Sequence, residues 1–400
     1  MLGLSQVFGR EIVVGIDIGS RCIKVVQVES TGAGRFRVIR AGMAETPVDS
    51  VRDGVVIGKD SVAQAIKDIL QRCNIEATSA VAAISGSSVI VRHVKLPKIP
   101  EVTLRKSIKF EASRYISSPL DGSLVEFEIT GMVPGEEDKM AVMLVAAPNE
   151  MVDSRLAAIS AAGLEPISMD IEAFAVQRFL LDLSPERDIF DDTVVLLNIG
   201  ACATDVNIIA GGQFALTRNI PIGGNNFSQA LRAVSPSQEL ADVEALKQTV
   251  DMSVLLQPGA EAVEVSRAQT IQPVLDELLR EVRRSMNYYQ SQLADPSNAN
   301  LPAHFGQHNN SPVSRIIVTG GSARLHGLEE YMAARLGTEV EVGIVANGPA
   351  LEIAPQCSDE VHSAPEQYVL AAGLAMKEML HSVKRAPQKP KEEIVMAQAA

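Results

Sequence analysis

The sequence predicts an α/β protein built from two similar domains that face each other across a cleft. The chain has 400 residues, which is too many for one compact core. Its 46% apolar and 21% charged residues are typical of a folded protein. A strand–turn–strand pattern near the start returns near the middle of the chain, and repetition of a whole supersecondary unit indicates paired domains.

Composition argues against several classes of function. The formal net charge of −13 and the lack of Trp disfavour binding to nucleic acid. The four Cys residues are scattered without a C-x-x-C pair, so neither a zinc site nor a disulfide framework is expected. No apolar stretch reaches the roughly 20 residues that span a bilayer. Residues 1–10 lack the pattern of a secretory signal, so we expect a cytoplasmic protein.

Apolar patterning predicts the elements of the first half in order. Its strands are expected at residues 12–16, 23–28, 36–41 and 80–91. Its helices are expected at residues 62–70, 151–162 and 172–183. From residue 91 to about residue 147 the pattern changes to a basic, Pro-punctuated segment with a helix and two strands of its own. This segment differs from the strands and helices that flank it.

The second half begins with a repeat of the first. Residues 194–200 can be laid over residues 13–19 at a constant offset of 181 residues. A second strand, a Gly-Gly turn and a third strand then follow in the same order as in the first half. Three successive matching strands favour paired domains over the chance likeness of one hairpin. A mainly helical region at 227–293 and a polar segment at 295–314 precede the last apolar strand.

The first candidate site is the turn after the opening strand. Asp17 stands at the strand end, and Gly19 permits close approach of the backbone to a ligand. Ser20 offers a hydroxyl, and Lys24 offers a positive charge for phosphate oxygens. Successive amides in such a hairpin can form an anion-binding concavity, and Asp17 is a candidate magnesium ligand through water. An ordinary β-hairpin with an Asp-x-Gly turn is the alternative at this point.

Two further glycine clusters support the phosphate-binding interpretation. The equivalent turn of the second half carries Asn198, Gly200, Ala201 and Thr204. Two hairpins are therefore predicted to hold one phosphate chain from opposite sides. A third cluster, Gly320–Ser322, joins a strand to a helix and is expected to receive a base or ribose. None of the three clusters matches the P-loop or the dinucleotide-binding pattern, so those sites are not predicted.

Together the three clusters resemble the phosphate-1, phosphate-2 and adenosine motifs of the actin/Hsp70/FtsA superfamily of ATP-binding proteins. Within it the sequence is most similar to the PilM family of type IV pilus assembly proteins. The similarity is carried by Leu96–Pro100, by Phe110–Ile116 and by the Arg-rich stretch Glu277–Tyr289. It extends from about residue 11 to residue 380. The resemblance implies an actin-like α/β fold, with duplicated ribonuclease H-like domains and an inserted 1C subdomain.

The resemblance also implies the domain boundaries. Subdomain 1A would comprise residues 11–90 and 150–190, and the inserted subdomain 1C residues 91–149. Subdomain 2A would comprise residues 191–225 and 312–381, and subdomain 2B residues 226–294. A mobile loop is expected at residues 295–311 and a disordered tail at residues 382–400.

By the same resemblance, the cofactors are ATP and Mg²⁺. The groups expected at magnesium and the β- and γ-phosphates are Asp17, Gly19, Ser20 and Lys24. Those expected to meet the phosphates from the other side are Gly200, Ala201 and Thr204, with Gly224 at a nearby helix start. Those expected at ribose and adenine are Glu281, Arg284 and Ser285, which share a helical face, together with Gly320, Gly321 and Ser322. For the charged helical face, a solvated surface is the alternative.

One departure from the superfamily pattern bears on activity. The second turn usually carries an acid, whereas this sequence has Asn198. An amide can hydrogen-bond a water molecule but can neither act as a general base nor neutralise magnesium. We therefore expect ATP binding with slow hydrolysis or none.

The resemblance implies a PilN-like inner-membrane partner, whose short cytoplasmic N-terminal peptide docks near subdomains 1A and 1C by strand addition. The protein would then be a cytoplasmic, nucleotide-dependent scaffold, peripheral to the inner membrane through that partner. Other pilus assembly proteins and self-association are further interpretations, whereas nucleic acid and direct membrane insertion are not expected. The alternative is an active ATPase or small-molecule kinase, for which the sequence offers no convincing carboxylate base. FtsA itself would need an amphipathic C-terminal helix, which the Pro-containing tail does not provide.

Overall fold

The structure is a computed structural model that describes residues 13–183, 192–293 and 312–380, apart from residues 33, 134, 236 and 238. The loop predicted at 295–311 and the tail predicted at 382–400 lie outside the described residues. The described chain forms two α/β halves, each built on a mixed sheet.

The first half and its insertion contain ten strands in chain order. They are β1 (Val13–Ile18), β2 (Cys22–Gly32), β3 (Arg35–Glu45), β4 (Val51–Arg52), β5 (Val55–Val56), β6 (Ser79–Ile84), β7 (Ile90–Pro97), β8 (Ser123–Val133), β9 (Glu136–Pro148) and β10 (Glu165–Ile171). The helices are α1 (Lys59–Arg72), α2 (Glu101–Ala112), α3 (Asn149–Ala161) and α4 (Glu172–Leu180). The predicted strand at 80–91 is therefore two strands, because Gly86 and its neighbours turn the chain into the insertion.

The remaining elements follow residue 192. The strands are β11 (Thr193–Ile199), β12 (Thr204–Ala210), β13 (Gln213–Ile220), β14 (Val313–Thr319), β15 (Glu339–Val342) and β16 (Leu351–Ile353). The helices are α5 (Gly224–Arg232), α6 (Leu240–Gln248), α7 (Ala262–Leu293), α8 (Leu328–Leu336), α9 (Ser358–Ser363) and α10 (Val369–Ala375). Short 3₁₀ helices lie at Met252–Leu256, Gly321–Arg324, Pro355–Cys357 and Pro365–Gln367.

The sheet of the first half has the strand order β10-β6-β1-β2-β3-β16. Its central strands β1 and β6 are mostly apolar and buried, with Asp17 near the end of β1 and Ser79 at the start of β6, as expected for strands covered by helices. A Cβ on Gly15 would lie 2.0 Å from the carbonyl oxygen of Ala371, so α10 rests directly on β1. Glycine at this position therefore sets how closely helix and sheet approach.

The predicted assignment of residues 312–381 to subdomain 2A is wrong at its C-terminal end. After β15 the chain returns to the first half, where β16 pairs in parallel with β3. Helix α10 is buried along its whole length and crosses α4 so closely that a Cβ on Gly373 would lie 2.0 Å from the Ala175 carbonyl oxygen. The apolar run of α10 completes the core of the first half.

The sheet of the second half has the order β13-β12-β11-β14-β15. Strands β11, β12 and β13 form an antiparallel meander like that of β1, β2 and β3, so the predicted repeat is confirmed. A single hydrophobic cluster crosses between the two halves below the cleft and contains Val176, Leu196 and Ile317. The rings of Phe174 and Phe214 meet edge to face across the same junction, with centroids 4.7 Å apart.

The insertion is a small unit with its own core. Its sheet has the order β7-β9-β8, and α2 packs on it through Leu104 and Ile108. The chain enters the insertion through residues 85–89 and leaves it at Pro148, where α3 begins.

Candidate nucleotide-binding site

Two hairpin turns open into one cleft between the halves. The first turn (Gly19–Arg21) joins β1 to β2, and the second turn (Gly200–Ala203) joins β11 to β12. Each is closed by the same bond: the Gly19 amide donates to the Cys22 carbonyl at 3.2 Å, and the Gly200 amide donates to the Ala203 carbonyl at 2.9 Å. Both turns line a cleft of about 930 Å³. The structure therefore brings the two predicted turns together.

The first turn is braced by a buried ion pair. Asp17 and Lys24 are register partners across β1 and β2, and their side chains meet at 2.9 Å. Burial opposes the charge of Lys24, but the Asp17 carboxylate outweighs it, so the pKa of the amine lies above its usual value. Both residues line the cleft with Gly19 and Ser20, but the Lys24 amine is already held by Asp17.

The second turn has the same backbone and a different charge. At the ladder position equivalent to Asp17 and Lys24, Asn198 lies opposite Asp205. Two carboxylates directly opposite each other repel, and the amide of Asn198 avoids this repulsion. Asn198, Gly200 and Ala201 line the cleft. Thr204 does not: its buried hydroxyl donates to the Ile222 carbonyl at 2.7 Å.

Glycines allow three segments to meet behind the second turn. The Gly224 amide, at the start of α5, donates to the Gly200 carbonyl at 2.9 Å, and Gly224 lines the cleft. Gly320 has φ 89°, and a Cβ there would lie 2.5 Å from Oδ1 of Asn198. Gly321 and Ser322 line the same wall. The predicted glycine cluster at 320–322 therefore lies beside the second turn.

The cleft also contains two acidic residues that the sequence motifs do not predict. Glu172 begins α4, Asp205 lies on β12, and Ser85 hydrogen-bonds both carboxyls. Burial, followed by the charges of Asp205 and Asp17, raises the pKa of Glu172 to about 8. Burial also raises the pKa of Asp205, against the hydrogen bonds from Asn219 and Ser85. The cleft thus holds protonatable carboxyls that would ionise if a cation bound beside them.

The charged helical face predicted at 281–285 lies outside the cleft. Glu281 pairs with Arg218 at 2.6 Å, and Ser285 is buried and donates to the Glu281 carbonyl. Arg284 is exposed and forms a second ion pair with Glu281 at 3.5 Å. The sequence-based assignment of these three residues to the nucleotide is therefore not supported, because the Glu281 carboxylate is committed to β13.

The corresponding wall of the cleft is provided by α6. Glu244, Lys247 and Gln248 line it. The Lys247 amine contacts the Glu244 carboxylate at 2.6 Å and donates to the Ser228 hydroxyl at 3.0 Å. Arg21 in the first turn approaches Glu244 from the opposite side of the cleft at 3.9 Å. The Glu-x-x-Lys spacing on one helical face is visible in the sequence, but Glu281 and Arg284 have the same spacing.

A profile of the family described as type IV pilus assembly protein PilM matches residues 15–379. The chain belongs to the PilM family. A chain of a solved PilM–PilN type IV pilus biogenesis complex superposes with a TM-score of 0.74 at 25% identity, covering 92% of this chain and 99% of that chain. Among the described residues, no helix is both long and apolar enough to cross a membrane.

More distant relatives share the fold. The ethanolamine utilization protein EutJ of Carboxydothermus hydrogenoformans superposes with a TM-score of 0.52 at 16% identity, covering 92% of this chain and 90% of its own. Cell division protein FtsA of Pseudomonas aeruginosa is 23% identical over 386 residues, which covers 85% of this chain and 86% of that protein. FtsA of Escherichia coli K12 is 21% identical over 375 residues, which covers 84% of this chain and 85% of that protein. These proteins support the actin-like architecture that the sequence predicts.

Proposed function

We propose that this protein is an ATP- and magnesium-binding scaffold of type IV pilus assembly. The observation that carries the proposal is the pair of equivalent hairpin turns facing one cleft of about 930 Å³. This volume lies within the range of small-molecule and cofactor sites. Membership of the PilM family supports the role in pilus assembly.

The lining residues suit a nucleoside triphosphate. Backbone amides of the two turns, with the hydroxyl of Ser20, would receive phosphate oxygens. Glu244 and Lys247 would hold the ribose hydroxyls, and Gly320, Gly321 and Ser322 would leave room for the base. The residues named here all line the same cleft, which supports the assignment.

The carboxyls in the cleft fit a magnesium ion held largely through water and phosphate. Among the described residues, no group of three or more His, Cys, Asp or Glu side chains is arranged to hold a metal directly. Magnesium commonly keeps several waters and uses one or two carboxylates beside phosphates. Asp17 is the proposed carboxylate at the first turn, with Glu172 and Asp205 accepting hydrogen bonds from coordinated water once they ionise.

The proposed partner is a PilN-like protein of the inner membrane. The similar PilM structure was solved as a PilM–PilN complex. We propose that the cytoplasmic N-terminal peptide of such a partner adds as a strand to the insertion, whose sheet ends at the edge strands β7 and β8. The partner would hold this protein at the inner membrane.

Calorimetric titration tests both parts. We expect one mole of ATP per chain in the presence of magnesium, and binding of the partner's N-terminal peptide whose affinity depends on ATP. Failure of ATP to bind would refute the nucleotide role, whereas failure of the peptide to bind in either state would refute the docking role alone.

Slow ATP hydrolysis is a second candidate function, which Glu172 favours. This carboxyl lies in the cleft, and a pKa of about 8 is close to the pH at which a general base works. The test is phosphate release under multiple turnover by wild type and Glu172→Gln. Phosphate release by wild type that is lost in Glu172→Gln would establish an ATPase. Equal background release by both proteins would support the scaffold role without hydrolysis.

A further inference from the structure

Both crossings between the insertion and the first half run beside the cleft. The first crossing, residues 85–89, begins with Ser85, which lines the cleft and hydrogen-bonds Glu172 and Asp205. The second crossing is α3, which begins as β9 ends and carries Arg155 to the cleft. The insertion is thus joined to the proposed nucleotide site at both of its ends.

Arg155 is a buried cation that binds backbone rather than a carboxylate. Only 3% of the Arg155 surface is exposed. Its Nε donates to the Gly54 carbonyl at 3.0 Å, and its Nη1 donates to the Ile18 carbonyl at 3.2 Å. Ile18 immediately precedes the first turn. Its third nitrogen, Nη2, makes no hydrogen bond to any residue that the structure describes, although Arg155 lines the cleft.

Gly54 lies between the two crossings. It has φ 80°, and a Cβ there would lie 3.0 Å from the Ser85 carbonyl oxygen and 2.9 Å from Cε of Met151 on α3. The Val56 amide also donates to the Ser154 hydroxyl of α3 at 3.1 Å. The hairpin formed by β4 and β5 therefore lies between the two crossings. Two hydrogen bonds, at Gly54 and at Val56, hold it to α3.

We infer that Gly54, Ser85 and Arg155 form a coupling clamp, through which occupancy of the cleft and the conformation of the insertion control each other. The inference rests on the proposed nucleotide binding. A phosphate that settles on the first turn moves the Ile18 carbonyl, and the fork of Arg155 passes that movement to α3 and β9. By thermodynamic linkage, a ligand that binds the insertion changes nucleotide affinity by the same factor. Arg155 is a positioning residue, since it acts through the backbone of the turn.

Hydrogen exchange measured by mass spectrometry tests the clamp on the full chain, with and without saturating Mg-ATP. In wild type we expect ATP to slow exchange in both turns and to change exchange in α2 and β9. Arg155→Lys keeps the charge but loses the two-pronged fork, and Gly54→Ala forces the hairpin away from both crossings. In both variants we expect the response of the insertion to fall by about fivefold or more, while the two turns still respond.

Two matched variants separate coupling from general loosening. Arg40→Lys replaces an arginine that does not line the cleft and whose Nη1 donates to the Ile39 carbonyl at 2.8 Å. Gly34→Ala places Ala at φ 74° with no neighbouring atom within 4 Å. Both should keep the wild-type response. If Arg155→Lys does not fold, Arg155→Gln replaces it.

The outcomes distinguish the clamp from the proposed function. If Mg-ATP changes hydrogen exchange in the two turns of wild type but not in the insertion, the clamp is overturned and nucleotide binding still holds. An insertion response that persists in Arg155→Lys and Gly54→Ala would also overturn it. Turns that do not respond at all would refute nucleotide binding, and the clamp with it.

Discussion

The two hairpin turns of the cleft share a backbone but differ in charge. At equivalent ladder positions, the first turn has Asp17 opposite Lys24, and the second has Asn198 opposite Asp205. The first pair neutralises itself, whereas the second places one carboxyl beside Glu172. The backbone of the turn is the same in both halves, and we propose that the two copies enclose a phosphate chain. The side chains differ, because the first turn holds an ion pair and the second holds a carboxyl that can be protonated.

Asp17→Asn should give the largest effect on this comparison. It removes the proposed magnesium-facing carboxylate and leaves the buried Lys24 amine without its counter-charge. We expect the affinity for Mg-ATP to fall by about 100-fold or more in calorimetric titration. The control Asn198→Ala, at the equivalent position of the second turn, should cost less than about fivefold. Equal losses in the two variants would contradict the division of roles.

Glu244→Ala should give the next largest effect, because Glu244 lines the cleft and Glu281 does not. We expect about tenfold weaker ATP binding for Glu244→Ala, which corresponds to about 1.4 kcal/mol. Glu281→Ala breaks the ion pair with Arg218 and should leave ATP affinity unchanged while lowering thermal stability. If Glu281→Ala weakened ATP binding more than Glu244→Ala did, the ribose would instead contact the helical face at 281–285.

Glu172→Gln should change how stability depends on pH. The pKa of Glu172 is about 8 in the folded protein, against an ordinary value of 4.5, so folding takes up a proton between these values. The stabilisation is fully present below pH 4.5 and is lost as pH rises through 8. Urea unfolding from pH 5 to 8 should show a decline of about 1 kcal/mol or more for wild type that the variant lacks. A wild-type profile that does not decline would place the Glu172 carboxylate in a more polar environment.

Asn198→Asp should give the smallest effect and makes the second turn more like the first. It places a carboxylate opposite Asp205, and like charges across a ladder cost roughly 0.2–1 kcal/mol. We expect a lower melting temperature without ligand and recovery on adding Mg-ATP. A melting temperature that is unchanged without ligand would show that charge does not explain the amide at this position.

Sequence could predict what repeats locally and could not predict what folding brings together. The first turn and its copy were evident because strand, glycine and strand recur at a constant offset. The same offset applied to Lys24 leads to Asp205, so the sequence does place an acidic residue at the equivalent position of the second hairpin. Glu172 follows an ordinary strand with no surrounding motif, and it approaches Asp205 only because the two halves close on each other.

The α6 wall of the cleft and helix α10 illustrate the same limit. Glu244 with Lys247 and Glu281 with Arg284 both show opposite charges three residues apart on a helix, so spacing alone could not choose between them. The return of α10 to the first half depends on Gly15 and Gly373, which allow close packing between residues far apart in the chain. Long-range packing of this kind has no local sequence pattern.

The central claim is that one triphosphate lies between the two turns. Its most direct test is a crystal structure of the protein grown with magnesium and a non-hydrolysable ATP analogue. We predict phosphate density between Gly19–Arg21 and Gly200–Ala203, with magnesium on the Asp17 side. An analogue bound elsewhere, or a cleft left empty at saturating analogue, would contradict the account.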